Sequence, residues 1–154
     1  MPEETGSAEL PSSVLFACTM NQIRSPIAEA LLKYLHGHRI YVQSVGVRAG
    51  EEVDGFAVAA LDEIGVDLSR HRPKSFDQLD DDYFDLVVSL SPEAQHKAVE
   101  LTRHASCDIE FWPTLDPSLI EGDRERRLEA YRELRDQLLA RIRERFPGSG
   151  GPQF

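Results

Sequence analysis

The feature that most constrains this chain is an apolar run, residues 14–17, followed at once by Cys18, a short polar loop and Arg24. Ser25 and Pro26 come next, and an amphipathic helical pattern follows them. The order predicts a buried strand, a tight loop and a helix N-terminus. Because a helix start carries unpaired N–H groups and partial positive charge, we expect this loop to bind a tetrahedral oxyanion such as phosphate.

Cys18 and Arg24 would carry the chemistry of this loop. A thiol attacks only as its thiolate, which the helix N-terminus and a nearby guanidinium both favour. The planar fork of Arg24 can hold two oxygens of one phosphate. Ser25 can either cap the helix or donate its hydroxyl to the thiolate. Asn21 tolerates a left-handed backbone, which would turn the loop N–H groups inward. The residues expected to line the anion are Thr19, Met20, Asn21, Gln22, Ile23, Arg24 and Ser25.

The Cys18 loop has a plainer interpretation as well. A cysteine at the end of a strand is more often a small buried apolar residue than a nucleophile. The ordered combination of an apolar strand, a loop without acidic residues, Arg-Ser-Pro and an amphipathic helix favours the catalytic interpretation.

The segment from Val14 to Leu35 resembles the N-terminus of low-molecular-weight protein tyrosine phosphatases and of their close relatives, the thiol-dependent arsenate reductases. The resemblance extends from about Ser13 to Phe146. In that family the loop cysteine forms a phosphocysteine intermediate and the arginine binds phosphate. The resemblance therefore implies these roles for Cys18 and Arg24, and implies the fold of that family.

A second motif of the family is the Asp-Pro pair that supplies a general acid, and here it is Asp116-Pro117. The chemistry wants a carboxylic acid that protonates the leaving oxygen and later activates water. The alternative is that Asp-Pro is an ordinary turn signal. Beside the cysteine loop, the resemblance favours Asp116 as the general acid.

The resemblance also implies a set of residues that support the loop. In relatives, the counterparts of Asn21, Ser25, Ser44 and His71 form a hydrogen-bonded network that braces it. The alternative for His71 is an exposed histidine in a turn.

Several positions depart from the family pattern. Met20 stands where relatives usually have glycine. A methionine would strain the loop if that position needs positive φ. Ile23 stands where many phosphatases have a second cysteine. Ser118 and Leu119 replace tyrosines that help typical eukaryotic members hold an aromatic substrate. The replacement of the tyrosines by Ser118 and Leu119 weakens the expectation of a preference for phosphotyrosine.

The reductases of the internal-disulfide type carry redox cysteines where this chain has Ser91 and Ala98. Cys107, expected on the last strand, is the only other thiol, and we expect it to be buried and inert. An internal thiol relay is therefore not expected.

Three functions follow from these residues. The first is a cysteine-dependent phosphomonoesterase that acts on a phosphorylated protein or a small phosphomonoester. The second is an arsenate reductase that uses an external thiol. The third is a non-catalytic module that binds an oxyanion. None of them needs a cofactor or a metal.

Composition limits the other possibilities. The chain has 154 residues, of which 41% are hydrophobic, and this is enough for one domain with its own core. Two cysteines make no disulfide framework, and a functional thiolate fits the cytoplasm. A net charge of −10 argues against nucleic acid as a partner. No apolar stretch approaches the ~20 residues that would span a membrane.

Two other clusters contain residue types that can bind metals, but neither is expected to form a metal site. His36-Gly37-His38 lacks a third metal ligand and is expected to be an exposed helix end. Residues 80–82 are three aspartates, which we expect to form a solvated turn rather than a metal site.

The periodicity of apolar residues predicts strands that alternate with helices. This pattern indicates a single α/β domain, a four-stranded parallel sheet with helices on both faces, whose site lies at the carboxyl ends of the strands. We expect the domain to occupy residues 12–146, between flexible tails at 1–11 and 147–154. The expected strands are 14–17, 40–45, 85–90 and 107–111, and the expected helices 27–37, 56–64, 91–103 and 128–146.

Overall fold

The computed structural model describes residues 10–81 and 83–148. Strands and helices alternate along the chain, as the sequence predicts. The elements are β1 (Ser13–Cys18), α1 (Arg24–His36), β2 (Tyr41–Gly46), α2 (Gly55–Asp62), β3 (Leu86–Ser89), α3 (Pro92–Leu101), β4 (Asp108–Phe111) and α4 (Arg124–Arg145).

The four strands form one parallel sheet in the order β2-β1-β3-β4. β1 lies between β2 and β3, with Cys18 opposite Gly46 and Ala17 opposite Ser89. The carboxyl ends of the three strands therefore meet at one edge of the sheet. This edge is where a parallel α/β sheet places its ligand site.

Both faces of the sheet are covered, which explains why β1 is an unbroken apolar run rather than an alternating one. Val14 and Phe16 point into the larger core, where α1, α2 and α4 pack. Leu15 and Ala17 point the other way, towards Ala94 and Ala98 of α3 and the segment around Phe84. The predicted sheet with helices on both faces is confirmed.

The interpretation of His36-Gly37-His38 as an exposed helix end is wrong for His36, which is only 2% exposed. Its Nε2 donates to the carbonyl of Phe146 (2.7 Å), and its Nδ1 accepts from Arg39 Nη2 (2.8 Å). His36 is therefore covered because the end of α4 packs on the last turn of α1. Gly37 and His38 are exposed, as expected.

Cys107 differs from its expected state in a smaller way. It precedes β4 instead of lying in it, and it is half-buried against the smaller core. The short β4 leaves the thiol at the sheet edge, beside Tyr83 and Leu101.

The predicted tails fall largely outside the described residues, namely at 1–9 and 149–154. Leu10 packs against the larger core, so the packed chain extends at least that far towards the N-terminus. Asp80 and Asp81 are exposed, whereas Asp82 lies outside the described residues. None of the described helices combines the length and the apolar character that crossing a membrane requires.

Candidate active site

The loop between β1 and α1 directs its carbonyl groups towards the segment that follows β2. Four backbone N–H groups of that segment donate to four loop carbonyls. The bonds run from Val47 to Cys18 (3.0 Å), Arg48 to Thr19 (2.9 Å), Gly50 to Met20 (3.0 Å) and Asp54 to Gln22 (3.1 Å). The loop is held by these contacts from one side along its whole length.

The amide groups of the same loop have no such partners. Within the described chain, no N–H group of residues 19–25 donates to a protein acceptor. These groups surround the start of α1, so its partial positive charge adds to theirs. A row of free amides at a helix N-terminus forms a site for an anion.

Asn21 is the residue that bends the loop. It has φ of 57°, the only positive φ among the described residues other than glycine. Met20 does not have positive φ, so its replacement of a glycine places no strain of this kind on the backbone. Gly46 allows the close approach from β2, because a Cβ at that position would lie 2.8 Å from the Asn21 nitrogen.

Cys18 ends β1 with its Sγ 2.9 Å from the hydroxyl of Ser25, and it is 2% exposed. The Ser25 hydroxyl accepts from Asn21 Nδ2 (2.8 Å), and its own hydrogen can be donated either to the sulfur or to the carbonyl of Val45 (3.3 Å). Of the two roles considered for Ser25, capping is not the one adopted. Ile23 occupies the N-cap position of α1, where no side chain caps the helix.

The four expected support residues meet beneath the loop. Asn21 Nδ2 donates to Ser44 Oγ (3.0 Å), and Asn21 Oδ1 accepts from the backbone of Lys74 (2.9 Å). His71 Nε2 lies 3.0 Å from the same oxygen, and it also approaches the carbonyl of Asn21 at 3.2 Å. Asn21 is therefore held from β2 and from the segment after α2 at once.

Glu29 completes this network and was missed in the sequence. It is 8% exposed, accepts from Ser44 Oγ (2.5 Å) and pairs with Lys33 Nζ (2.6 Å). Its Oε1 also lies 3.8 Å from His71 Nδ1. Burial lowers the pKa of His71, while the carboxylate of Glu29 acts in the opposite direction. Glu29 follows Ser25 by four residues, so helical spacing on the buried face was the available signal.

Arg24 opens α1 and reaches across the site. Its Nη1 donates to the carbonyl of Thr114 (2.9 Å), which follows β4. The backbone N–H of Thr114 itself donates to the carbonyl of Leu90, which directly follows β3 (3.1 Å). The guanidinium is thus fixed by the strand ends that also carry the segment of Asp116.

Asp116 stands at the start of a short 3-10 helix, Pro117–Leu119. Its Oδ1 accepts from the backbone (2.9 Å) and the hydroxyl (2.7 Å) of Ser118. Asp-Pro therefore does form a turn, and the same turn presents the carboxylate to the cleft that contains Cys18.

The cleft above the loop has a volume of about 470 Å³. Its rim is apolar on one side, where Leu115 is 90% and Leu119 75% exposed. On the other side Thr19 Oγ1 lies 3.1 Å from both Ser91 Oγ and Glu93 Oε1. The cleft is lined by Cys18, Thr19, Met20, Gln22, Ile23, Arg24, Ser91, Pro92, Glu93, Thr114, Leu115, Asp116, Ser118 and Leu119.

A second thiol is not among the residues that line this cleft. Ser91 occupies the expected redox position and caps α3 by accepting from the backbone of Ala94 (3.2 Å). Cys107 lines a separate small cavity with Phe84 and Val87. No cluster of three or more acidic, histidine or cysteine side chains suited to a metal occurs in residues 10–81 and 83–148.

Members of one known protein family resemble this chain along most of its length. The model of a family described as low molecular weight phosphotyrosine protein phosphatase matches residues 13–144. An arsenate reductase of Bacillus subtilis (strain 168) is 31% identical over 134 residues, which cover 85% of this chain and 92% of that protein. A glutaredoxin arsenate reductase of Synechocystis sp. is 30% identical, covering 84% and 92%. The crystal structure of a low molecular weight protein tyrosine phosphatase from T. tengcongensis is 30% identical, with a TM-score of 0.69 and coverage of 84% and 94%.

Proposed function

The chain belongs to the low molecular weight phosphotyrosine protein phosphatase family, and we propose that it hydrolyses phosphomonoesters through a phosphocysteine intermediate. The observation that carries the proposal is the row of free amides at residues 19–25 beside the Cys18 sulfur. Such donors, fixed before the reaction, stabilise the charge that develops on a transferring phosphoryl group.

The first step transfers the phosphoryl group to Cys18. The thiolate attacks phosphorus, so that the S–P bond forms as the bond to the leaving oxygen breaks. The loop amides and Arg24 hold the three equatorial oxygens. Asp116 gives its proton to the leaving oxygen, which departs as an alcohol.

The second step releases phosphate. Asp116, now a carboxylate, takes a proton from water as the water oxygen attacks phosphorus and the S–P bond breaks. The Ser25 hydroxyl, 2.9 Å from the sulfur, stabilises the thiolate that leaves. Asn21, Ser44 and His71 act by positioning the loop and do not touch the substrate.

The proposed substrate is a phosphorylated protein or a small phosphomonoester. The exposed Leu115 and Leu119 offer an apolar rim for the leaving group, and Leu119 is one of the two residues that replace the tyrosines of typical eukaryotic members. We place the protein in the cytoplasm, because the mechanism needs a reduced thiol.

A second candidate is arsenate reduction, which the names of the curated relatives favour. Arsenate has the shape and charge of phosphate and fits the same loop. Cys18 would form an adduct with arsenic, and an external thiol would attack the sulfur. Arsenic then gains two electrons and leaves as arsenite, while the two thiols become a mixed disulfide. An external thiol is required because Ser91 replaces the redox cysteine and Cys107 lies in another cavity.

A third candidate, an oxyanion-binding module without turnover, has lost one of its supports. It rested partly on strain at Met20, and the positive φ belongs to Asn21 instead.

The proposal is tested by trapping the intermediate. An aryl phosphate is mixed with the protein, the reaction is quenched in acid within milliseconds, and the Cys18 peptide is analysed by mass spectrometry. We expect one phosphoryl group on Cys18 of the wild type. More of the phosphorylated peptide should accumulate in Asp116→Asn, and the control Cys107→Ser should match the wild type. Steady turnover with an unmodified Cys18 peptide would overturn the proposed mechanism.

A further inference from the structure

A second, larger pocket lies behind the catalytic loop. Its volume is about 630 Å³, and it is lined by residues of α1, by Gln43 of β2 and by residues of the segment 65–74. It shares no lining residue with the cleft above Cys18. It is therefore a cavity distinct from the cleft.

The pocket is basic, although the chain as a whole has a net charge of −10. Arg70, Arg72 and Lys74 come from the sequence Ser-Arg-His-Arg-Pro-Lys-Ser at residues 69–75, and all three line the pocket. Lys33 lines it too, but its charge is paired with Glu29 (2.6 Å).

None of the three other cations lies within ion-pair distance of a carboxylate in the described residues, although the charge of Arg70 acts on the carboxylate of Asp67 in the same wall. Lys74 Nζ donates to the neutral amide oxygen of Gln43 (2.6 Å). Asp67, the remaining acidic residue of the wall, accepts from the backbone (2.9 Å) and the hydroxyl (2.6 Å) of Ser69.

A concave, basic surface concentrates anions, and a guanidinium matches the oxygens of a phosphate group. The volume is in the range of pockets that hold a molecule larger than a single phosphate ion. We propose that this pocket binds a small anion with several phosphate groups, such as a nucleotide or a polyphosphate.

The location links this site to the loop. Glu29 and His71 line the pocket and also belong to the network beneath Asn21. An occupant of the pocket therefore contacts the support of the loop from behind and leaves the substrate cleft open.

The test uses ATP without metal as the probe, followed by amide chemical shifts in NMR spectra of the full chain. We expect shifts across residues 65–74 that saturate with ATP. In Arg70→Gln/Arg72→Gln, the affinity should fall by at least about tenfold, because two charge-assisted contacts are lost. The matched control Lys97→Gln/Arg103→Gln removes the same charge outside the pocket and should change the affinity by less than about twofold.

Two results would overturn the proposal. Shifts confined to residues 18–25 would place ATP in the catalytic loop alone, and equal weakening in the pocket variant and the control would indicate diffuse attraction. The footprint on the wild type is informative even if a variant folds poorly. Because binding is read without turnover, failure of the phosphatase assignment leaves this result unaffected.

Discussion

At the scale of single residues, Asn21 combines two functions that can be separated by mutation. Its backbone adopts φ of 57°, and its side chain joins Ser25, Ser44, His71 and the backbone of Lys74. Asn21→Gly keeps the backbone freedom and removes the contacts, whereas Asn21→Ala removes both.

We expect both variants to lose turnover by at least about tenfold, because the loop is no longer held in place. Asn21→Ala should be less stable than Asn21→Gly by about 1 kcal/mol, the cost of a left-handed alanine. Urea unfolding measures the difference. Equal stabilities of the two variants would show that the loop does not depend on this conformation.

Asp116 is tested through the leaving group. Asp116→Asn should slow hydrolysis of an alkyl phosphate far more than hydrolysis of a nitrophenyl phosphate, because only the poor leaving group needs its proton. The ratio of the two kcat/KM values measures the effect. Equal slowing on both substrates would remove Asp116 from the role of general acid.

Part of this site could be predicted from the types of its residues alone. Asn21 was expected to accept a left-handed backbone and does so, and Ser25 was expected either to cap α1 or to face the sulfur. The burial of Glu29 and His36 was not predicted, although the spacing of four residues placed Glu29 on the same face of α1 as Ser25. Both are buried through partners distant in sequence or on a helix face whose depth the pattern does not reveal.

At the scale of elements, α4 is anchored to α1 through one buried histidine. His36 is neutral in this arrangement, with Nε2 donating to Phe146 and Nδ1 accepting from Arg39. Burial lowers the pKa of His36 below its ordinary value, and the charge of Arg39 acts in the same direction.

This anchor predicts a loss of stability in mild acid. Because the folded pKa lies below that of the unfolded chain, the contribution is complete above an unfolded pKa of about 6.5 and is lost as pH falls through the folded value. The free energy of unfolding should fall more between about pH 7.5 and pH 5.5 in the wild type than in His36→Gln.

His104, which is exposed, provides the matched control. His104→Gln should retain the pH dependence of the wild type. If His36→Gln and the wild type lose the same free energy over this range, His36 does not link the two helices in the way described.

Most of the strands and helices could be predicted from the sequence. The apolar run of residues 14–17 predicted a strand buried on both faces, and β1 is that strand. The order β2-β1-β3-β4 was not predicted, because periodicity reports which face is buried and not which strand is the neighbour. The start of α1 at Arg24 also escaped the pattern, since its first turn is defined by the loop and not by an apolar stripe.

At the scale of the whole molecule, charge opposes the proposed substrate. The net charge is −10, and the acidic side chains of Glu93 and Asp116 line the cleft. An anionic substrate is therefore repelled at long range, and the Cys18 loop with Arg24 must provide the attraction locally.

We therefore expect added salt to increase the rate at which the protein captures and hydrolyses an anionic substrate. Raising the ionic strength from about 0.01 M to 0.15 M shortens the screening length from about 30 Å to 8 Å. We expect kcat/KM for an aryl phosphate dianion to rise by roughly twofold. Alkylation of Cys18 by neutral iodoacetamide is the control and should not respond. A fall of kcat/KM with salt would mean that local positive charge governs the approach.

The most direct test of the central claim is a paired assay on the wild type and Cys18→Ser. Hydrolysis of an aryl phosphate is followed at about pH 6, and arsenate reduction is followed with small thiols and a thiol-recycling system. The phosphocysteine mechanism predicts hydrolysis that Cys18→Ser abolishes, without formation of arsenite. Negligible hydrolysis by the wild type would contradict it, and arsenite formation that depends on added thiol would then identify a reductase with an external thiol.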